Sequence, residues 1–318
     1  MGYLVGLDIG GTSVKLGLIQ YGEHFSVIRQ SSIPTQPQDP PIVFAERVAA
    51  AVKGLIADTG ERTVDGIGVG CPGLIDPWQG IVRTSPNLKN LPGFELKKHI
   101  SGFTGLPVEI QNDANAAVLG EWLFSPSSRK VRNMVLLTLG TGVGGGVVCD
   151  SHLLVGAANA ATELGHVKVE YTDGALCGCG KKGCVEAYAG VAGIRSIANS
   201  LIRSGVPTRL QAADDLTTKD IAIAAADGDE VGKQTFFQVG RYLGRAMATF
   251  LETFNPEKIV LGGGASAAID LLMPGINASL DEVASFDFTR RMCLIERSAF
   301  PDDINVIGAA ATYLNSHR

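Results

Sequence analysis

The sequence predicts an α/β fold in two domains, and three observations support this. The chain has 318 residues, and at about 100–200 residues per domain this length suggests two domains. Apolar residues make up 45% of the chain and charged residues 19%, which leaves enough apolar material for two buried cores. Short apolar strand patterns alternate with longer amphipathic helix patterns, as in α/β proteins.

The charge balance indicates small-molecule partners. Lysine and arginine number 27 against 32 aspartates and glutamates, a net charge of −5, and no long run carries one sign. We therefore expect neither nucleic acid nor a membrane surface as a partner. The sequence begins with a strand-like stretch, without a basic leader or an apolar span of about 18 residues, so we expect a cytoplasmic protein.

Glycine is overrepresented and directs attention to turns. It accounts for 40 of the 318 residues, about one in eight, against a usual frequency of about 7%. We expect this excess to serve tight turns or close approach of the backbone to a ligand.

The first domain is expected over residues 1–120 and opens with a hairpin. Alternating apolar residues from Val5 to Ile9 and from Val14 to Leu18 flank the turn Gly10-Gly11-Thr12. The further predicted elements are a helix from 42 to 57, a buried strand from 66 to 71, a strand from 108 to 110 and a helix from 114 to 124. Asn112 and Asp113 follow the last strand, a position that favours ligand binding in α/β folds.

The second, larger domain is expected over residues 121–318. Its opening repeats the first pattern: an apolar strand from Met134 to Leu139, a glycine turn from Gly140 to Gly146 and a strand from Val147 to Cys149. This repetition suggests an ancient duplication. The further predicted elements are a helix from 230 to 254, a strand from 258 to 261 closed by three glycines at 262–264, and a final helix at about 304–316. That final helix could pack back on the first domain.

The glycine turns favour phosphate binding. The segment from Gly140 to Gly145 fits the dinucleotide pattern G-x-G-x-x-G, but that pattern requires a helix where a strand follows here. No Walker A string is present. Backbone N–H groups and the hydroxyls of Thr12 and Thr141 can instead line a nest for phosphate oxygens. Ordinary tight hairpins are the alternative, although three glycine clusters fit a bound nucleotide better.

Two charged residues flank the first turn. Asp8 can help to hold Mg²⁺, usually through water, and the alternative is a turn aspartate that accepts hydrogen bonds from nearby N–H groups. Lys15 could reach a phosphate group, but an exposed lysine on a strand is the simpler interpretation.

A cysteine cluster predicts a metal site. Cys177, Cys179 and Cys184, with His166 preceding them, form a Cys₃His set suited to tetrahedral Zn²⁺. Four protein ligands leave no open position, so we expect a structural zinc that does not activate water. Reduced free cysteines are the alternative. The remaining cysteines fall on apolar segments, and we interpret them as small core residues: Cys71, Cys149 and Cys293.

Four motifs together resemble the ROK family of sugar kinases. They are Asp8-Ile-Gly-Gly-Thr12, the turn from Gly140 to Gly146, Glu163-Leu-Gly-His166, and the string from Cys177 to Glu186, which matches C-x-C-G-x-x-G-C-x-E. The last motif is highly specific, whereas D-x-G-G-T marks only the wider actin/hexokinase-like group. The resemblance implies two actin-like (ribonuclease H-like) α/β lobes, with ATP and sugar in the interlobe cleft, and a homodimer.

The resemblance also implies roles for individual residues. Asp113 takes the position of the catalytic base, although on sequence alone a helix N-cap is about equally good. His166 would offer one ring nitrogen to zinc and the other to the sugar. The implied sugar-binding residues are Gly73, Asn87, Asn112, Asp113, Glu163, His166 and Glu186. The expected ATP and Mg²⁺ residues are Asp8, Gly10, Gly11, Thr12, Lys15, Gly140, Thr141, Gly142, Gly262 and Gly263.

The expected activity is that of an ATP-dependent hexokinase which phosphorylates the 6-hydroxyl of a pyranose, most simply glucose. The alternatives are an N-acetylmannosamine or N-acetylglucosamine kinase, a kinase using polyphosphate, and a sugar-sensing regulator without catalysis. Repressors of the family carry a winged helix-turn-helix ahead of the kinase-like body, and the first strand begins here by residue 3, so we do not expect a repressor. Asn159 and Thr162 stand where the family pattern has glycine, which bears on the sugar preference.

Overall fold

A computed structural model describes residues 1–22, 25–57, 63–85 and 87–317. The strands are β1 (Gly2–Ile9), β2 (Ser13–Tyr21), β3 (Ser26–Pro34), β4 (Val64–Cys71), β5 (Leu74–Asp76), β6 (Ile81–Thr84), β7 (Val108–Asn112), β8 (Met134–Leu139), β9 (Val143–Cys149), β10 (His152–Leu153), β11 (Lys258–Gly262) and β12 (Leu294–Arg297). The α-helices are α1 (Pro41–Ile56), α2 (Leu96–Thr104), α3 (Asp113–Phe124), α4 (Glu186–Ala189), α5 (Val191–Arg203), α6 (Thr218–Ala226), α7 (Glu230–Phe254), α8 (Ile269–Val283), α9 (Asp287–Met292) and α10 (Ile304–Ser316). Short 3-10 helices occupy Leu164–His166 and Gly264–Ala268.

The chain divides into two compact units. Unit 1 contains residues 1–130, 153–161 and 302–318, and unit 2 contains residues 131–152 and 162–301. The boundary expected after residue 120 falls within α3, and all of that helix lies in unit 1. The final helix α10 also lies in unit 1, where it packs on α3 and β4.

Each unit is built on a five-stranded sheet. The sheet of unit 1 has the order β3-β2-β1-β4-β7, and the other has β10-β9-β8-β11-β12. Each begins with an antiparallel hairpin, β1–β2 or β8–β9, whose first strand then pairs in parallel with a later strand, β4 or β11. The common strand order agrees with the suggested duplication.

The core of unit 1 follows from the helical period of α1. Phe44, Val48 and Val52 recur every fourth residue and are fully buried, in one cluster with Leu7 and Leu16 of the sheet. This spacing places all three on one face of the helix, so a single apolar stripe covers the sheet.

Glycines in the strands of unit 1 allow α10 to pack closely. A Cβ at Gly6 would overlap the carbonyl oxygen of Val306, and a Cβ at Gly68 would overlap that of Ala309. The expectation that the glycine excess serves turns and ligand approach was therefore incomplete, because part of it lets this helix lie directly on the sheet.

In unit 2 the longest helix has well-defined ends. The Asp229 side chain accepts a hydrogen bond from the N–H of Gly232 at the start of α7, and Asn255 ends the helix in the left-handed conformation, with φ 43°. Both residue types suit these positions. Among the described residues, no helix is both long and apolar enough to cross a membrane.

Two expectations about β9 need correction. The second glycine turn ends at Gly142, because β9 begins at Val143 and includes Gly144 to Gly146. Gly145 faces Leu164, whose Cβ would lie 2.5 Å from a Cβ at this position, so the strand glycine makes room for a packed side chain. Cys149 is exposed at the end of β9, whereas Cys71 and Cys293 are buried as expected.

Candidate functional site

Three strands of unit 1 bring polar residues to one edge of the sheet. β4 pairs in parallel with β1 on one side and with β7 on the other, with Asp8 beside Gly70 and Cys71 beside Asn112. Asp113 follows directly as the first residue of α3. The carboxyl ends of parallel strands are the usual position of ligand sites in α/β folds. Asp8, Asn112 and Asp113, expected from the sequence to bind ligands, therefore share this edge.

The environment of Asp8 disfavours its charged form. The side chain is buried and accepts a hydrogen bond from Asn305 Nδ2 at 3.4 Å. Burial raises the pKa of Asp8 to about 6; the Asn305 hydrogen bond and the Lys15 charge lower it, whereas the Asp113 charge raises it. A cation near Asp8 would restore the carboxylate, because opposite charge favours ionisation.

Asn112, and not Asp113, caps the start of α3. Asn112 is the N-cap, since its Oδ1 accepts hydrogen bonds from the N–H groups of Ala114 at 2.9 Å and Asn115 at 3.2 Å. Asp113 Oδ1 also accepts from Ala114 N at 2.9 Å. Burial raises the pKa of Asp113, and hydrogen bonds oppose this rise. The N-cap alternative considered for Asp113 thus applies to Asn112.

Gly73 and Asn87 lie in the same region of unit 1. Asn112 Nδ2 donates to the carbonyl oxygen of Gly73 at 3.1 Å. Gly73 has φ 107°, and a Cβ there would overlap the carbonyl oxygen of Thr84, so only glycine fits. A Cβ at Gly11 would lie 3.1 Å from the Cβ of Asn87, which places Asn87 against the first glycine turn.

Thr35 holds the backbone of the first glycine turn (10–12) through two hydrogen bonds. Its N–H donates to Thr12 O at 3.0 Å, and its hydroxyl donates to Gly10 O at 2.6 Å. Thr35 is fully buried, whereas Thr12 and Lys15 are exposed. The turn therefore presents its outer groups to solvent on a fixed backbone.

The glycine clusters of unit 2 also share one edge. Gly140 N–H donates to Gly142 O at 2.9 Å and closes the turn between β8 and β9. Gly262 pairs with Thr138, and Gly263 has φ 78°, with its Cβ position 2.5 Å from Leu139 O. The glycines at 262–264 thus pack against the end of β8, next to the turn.

His166, Cys177, Cys179 and Cys184 converge in unit 2, with all four ligand atoms within 4.8 Å of one another. His166 Nδ1 lies 3.7 Å from Cys177 Sγ, and Cys179 Sγ lies 3.7 Å from Cys184 Sγ. Two thiolates bound to tetrahedral zinc at about 2.3 Å would be about 3.8 Å apart. The donors therefore fit Zn²⁺ in both type and spacing.

Neighbouring groups modify these cysteines. Lys168 Nζ donates to Cys184 Sγ at 2.8 Å. A hydrogen bond from the backbone N–H of Lys181 lowers the pKa of Cys179, whereas burial raises that of Cys177. A bound zinc ion would deprotonate a coordinating thiol regardless of its intrinsic pKa.

Two of the expected sugar-binding residues are tied to the metal loop. Glu186 Oε1 accepts from Cys177 Sγ at 3.1 Å, and Glu186 Oε2 accepts from Val143 N–H at 3.0 Å. The N–H of His166 donates to the carbonyl oxygen of Glu163 at 3.0 Å. Glu163 is exposed just before the 3-10 helix that carries His166.

The loop before Glu163 keeps a glycine-like backbone without glycine. Asn159 has φ 55° and Thr162 has φ 67°, both in the left-handed region. Asparagine tolerates this region, but a β-branched residue such as threonine is strained there. The two departures from the family pattern therefore retain the backbone shape that glycine would adopt.

Sequence reasoning missed three residues that contact the predicted site: Thr35, Lys168 and Asn305. Asn305 lies 297 positions from Asp8, and no local pattern links them. The pairing of Thr35 with the first turn depends on strand β3, which its sequence did not reveal.

Comparison with known proteins identifies the family. The model of the ROK family matches residues 4–316. A protein named glucokinase from Halalkalibacterium halodurans is 36% identical over 289 residues, which cover 89% of this chain and 86% of that protein.

Two solved structures match nearly the whole chain. One is a ROK family glucokinase from Streptomyces griseus in complex with glucose and AMPPNP, with a TM-score of 0.79 and 29% sequence identity. The match covers 97% of this chain and 98% of the glucokinase chain. The other is a ROK family transcriptional regulator, a homologue of the Escherichia coli MLC protein, with a TM-score of 0.87 and 31% sequence identity. That match covers 98% of this chain and 78% of the regulator chain. These matches confirm the α/β fold of the actin-like type, and the chain belongs to the ROK family.

Proposed function

We propose that this chain is an ATP-dependent sugar kinase that phosphorylates the 6-hydroxyl of a pyranose, with glucose as the preferred substrate. The observation that carries the proposal is the edge of unit 1 that Asp8, at the end of β1 before the first glycine turn, shares with Asp113, which follows β7. The likeness to relatives named glucokinase supports it.

Asp113 is the proposed base. It accepts the proton of the 6-hydroxyl as the sugar oxygen attacks the γ-phosphorus of ATP, and ADP leaves. Burial raises the pKa of Asp113, and a raised pKa makes a carboxylate a stronger proton acceptor. Asn112 holds Asp113 at the first turn of α3 through its capping bonds, so the carboxyl position is set by a helix rather than by a loop.

The glycine turns supply the phosphate contacts in this proposal. Backbone N–H groups at Gly10 to Thr12, Gly140 to Gly142 and the glycines at 262–263 donate to phosphate oxygens, and Lys15 adds a positive charge. Asp8 would hold Mg²⁺ through water, and the ion would neutralise charge on the transferring phosphoryl group.

The proposed sugar-binding residues are Gly73, Asn87, Asn112, Glu163, His166 and Glu186. Carboxylates and amides pair well with the vicinal hydroxyls of a pyranose. The Cys₃His cluster would hold a structural Zn²⁺ that fixes the loop from His166 to Glu186. On family likeness alone, we also propose a cytoplasmic homodimer.

The alternative acceptors are N-acetylmannosamine and N-acetylglucosamine. Thr162 borders Glu163 and is held at positive φ, so it alters the wall that this loop would present to the sugar. A change of a few atoms in such a wall is worth only about 1–3 kcal/mol in discrimination. A different class, a sugar sensor without catalysis, is suggested by the likeness to a ROK transcriptional regulator.

The test is turnover by the purified protein with ATP and Mg²⁺. Glucose, mannose, fructose, N-acetylglucosamine and N-acetylmannosamine are offered separately, and ADP release is followed. We expect the highest kcat/KM with glucose. Preference for an N-acetylated sugar would change the substrate and keep the reaction. Sugar binding without turnover on any of the five would instead favour the sensor.

A further inference from the structure

Residues 186–191, which follow the metal cluster, form two hydrogen bonds at the second glycine turn (140–142), both within unit 2. Glu186 Oε2 accepts a hydrogen bond from Val143 N–H at 3.0 Å, immediately after the turn. Val191 N–H, at the start of α5, donates to Gly140 O at 3.1 Å, at the beginning of the turn. The backbone of the turn therefore rests on residues 186–191.

Gly142 is shaped to receive the Glu186 carboxylate. The three atoms nearest to a Cβ placed at Gly142 all belong to Glu186, and the nearest, Oε2, would overlap it. Gly142 does not have a positive φ, so its backbone conformation would admit alanine. A methyl group at this position would therefore displace the Glu186 carboxylate from its place beside the turn.

The second oxygen of the same carboxylate faces the metal cluster. Glu186 Oε1 lies 3.1 Å from the Sγ of Cys177, and Cys184 precedes Glu186 by two residues. One side chain thus contacts the turn with one oxygen and a cysteine of the cluster with the other.

We propose that Glu186 is a positioning residue for the nucleotide, in addition to its role toward the sugar. It holds the turn from Gly140 to Gly142 in the conformation that binds phosphate, and it couples that turn to the occupancy of the metal cluster. This inference rests on the proposed function, because it requires the turn to bind ATP. Loss of Glu186 or of the metal should then weaken nucleotide binding even when no sugar is present.

A double-mutant cycle between Gly142 and Glu186 tests this. Binding of ADP with Mg²⁺ is measured by calorimetry without sugar for the wild type, Gly142→Ala, Glu186→Ala and the double variant. We expect each single substitution to weaken ADP binding ~10-fold. In the double variant the added methyl group meets no carboxylate, so its Kd should stay within about twofold of the Glu186→Ala value.

Two further variants separate positioning from general damage. Glu186→Gln keeps an oxygen that can accept the Val143 N–H bond, so ADP affinity should recover to within about threefold of wild type, while sugar affinity stays reduced. Glu163→Ala is the matched control, because it removes another proposed sugar carboxylate and should leave ADP affinity unchanged. Zinc content and thermal unfolding of each variant are recorded. If Glu186→Ala does not fold, Glu186→Asp, which is one methylene shorter, replaces it.

The metal arm uses the same readout. Chelator-treated wild type should bind ADP as weakly as Glu186→Ala, and the same treatment of Glu186→Ala should weaken binding no further. The proposal would be overturned if Gly142→Ala weakened ADP binding equally in the wild type and in Glu186→Ala. Unchanged ADP affinity in the chelator-treated wild type would also overturn it. Failure of the proposed function is distinguishable, because the untreated wild type would then bind no ADP.

Discussion

The two glycine-turn hairpins have the same backbone plan and different chemistry. In each, three residues join two antiparallel strands, at 10–12 in unit 1 and at 140–142 in unit 2. One residue before the end of the first strand, unit 1 has Asp8 opposite Lys15, and unit 2 has Thr138 opposite Gly144. The first hairpin thus carries a charged pair where the second carries a hydroxyl and a glycine.

The surroundings extend this difference. The first hairpin shares its edge of the sheet with Asp113, and burial raises the pKa of both Asp8 and Asp113. The second turn receives the Glu186 carboxylate from 43 residues away and is packed by glycines at 262–264. The same hairpin plan therefore supplies charged side chains in unit 1, whereas in unit 2 it supplies glycines that let other groups come close to the backbone. Charge substitutions should therefore act most strongly in unit 1, and shape substitutions in unit 2.

The largest expected effect comes from Asp113→Asn. This change removes the proposed base while Asn112 remains the N-cap of α3, so the helix should be retained. We expect kcat to fall ~10²–10⁴-fold. Thermal stability near neutral pH should not fall, because burial raises the pKa of Asp113 and Asn carries no charge to bury. Steady-state kinetics check this, with Glu46→Gln on the exposed face of α1 as the control. Turnover close to that of the wild type would contradict the assignment of Asp113.

The next effect is a pH dependence of stability that arises from Asp8. Its pKa is raised from 3.8 to about 6 in the folded protein, so the folded state binds this proton more tightly than the unfolded state does. The stabilising contribution of the protonated Asp8 is therefore fully present below pH 3.8 and is lost as the pH rises through about 6. Above this range the buried charge costs about 3 kcal/mol.

Asparagine imitates the protonated, neutral form of Asp8. Asp8→Asn should therefore unfold at the same temperature as the wild type near pH 3.8, and at a higher temperature than the wild type near neutral pH. Thermal unfolding without Mg²⁺ or nucleotide measures the difference. Thr138→Ala, at the matching position of the second hairpin, should show no pH-dependent difference from wild type. Parallel pH profiles for wild type and Asp8→Asn would refute a raised pKa.

A shape effect of intermediate size is expected at Gly263. Alanine there would be held at φ 78° with its Cβ 2.5 Å from Leu139 O, at a cost of about 1–3 kcal/mol. Gly264→Ala is the matched control, because a Cβ at Gly264 meets nothing within 4 Å. Urea unfolding should separate the two variants, and equal midpoints would show that unit 2 does not depend on close packing at this point.

The smallest effect concerns the loop before Glu163. Thr162→Gly should stabilise the protein by about 0.5–1 kcal/mol, because glycine relieves the positive φ at the cost of greater entropy in the unfolded chain. Ala160→Gly, where the backbone has no positive φ, should destabilise it slightly. The thermal midpoints of the two variants should move in opposite directions. A lower midpoint for Thr162→Gly would mean that threonine makes compensating contacts.

Much of the fold could be predicted from local patterns. The bounds of β8, α7 and α10 agree with the structure, and α1 and β4 differ by one or two residues at their ends. A strongly periodic apolar pattern closed by an end signal, such as Asn255 after α7, determines an element within its own residues. β3 was missed because most of its side chains are exposed, and an edge strand needs no alternating apolar face.

The sequence by itself determined the α/β class, the two hairpins, the Cys₃His set and the family, because periodicity, turn chemistry and ligand spacing act over short stretches. Only the tertiary structure decided which distant groups meet: Asn305 with Asp8, Glu186 with Val143, and α10 with the strand glycines. These contacts depend on how strands and helices pack across long separations, and the burial that raises the pKa of Asp8 exists only after that packing is complete.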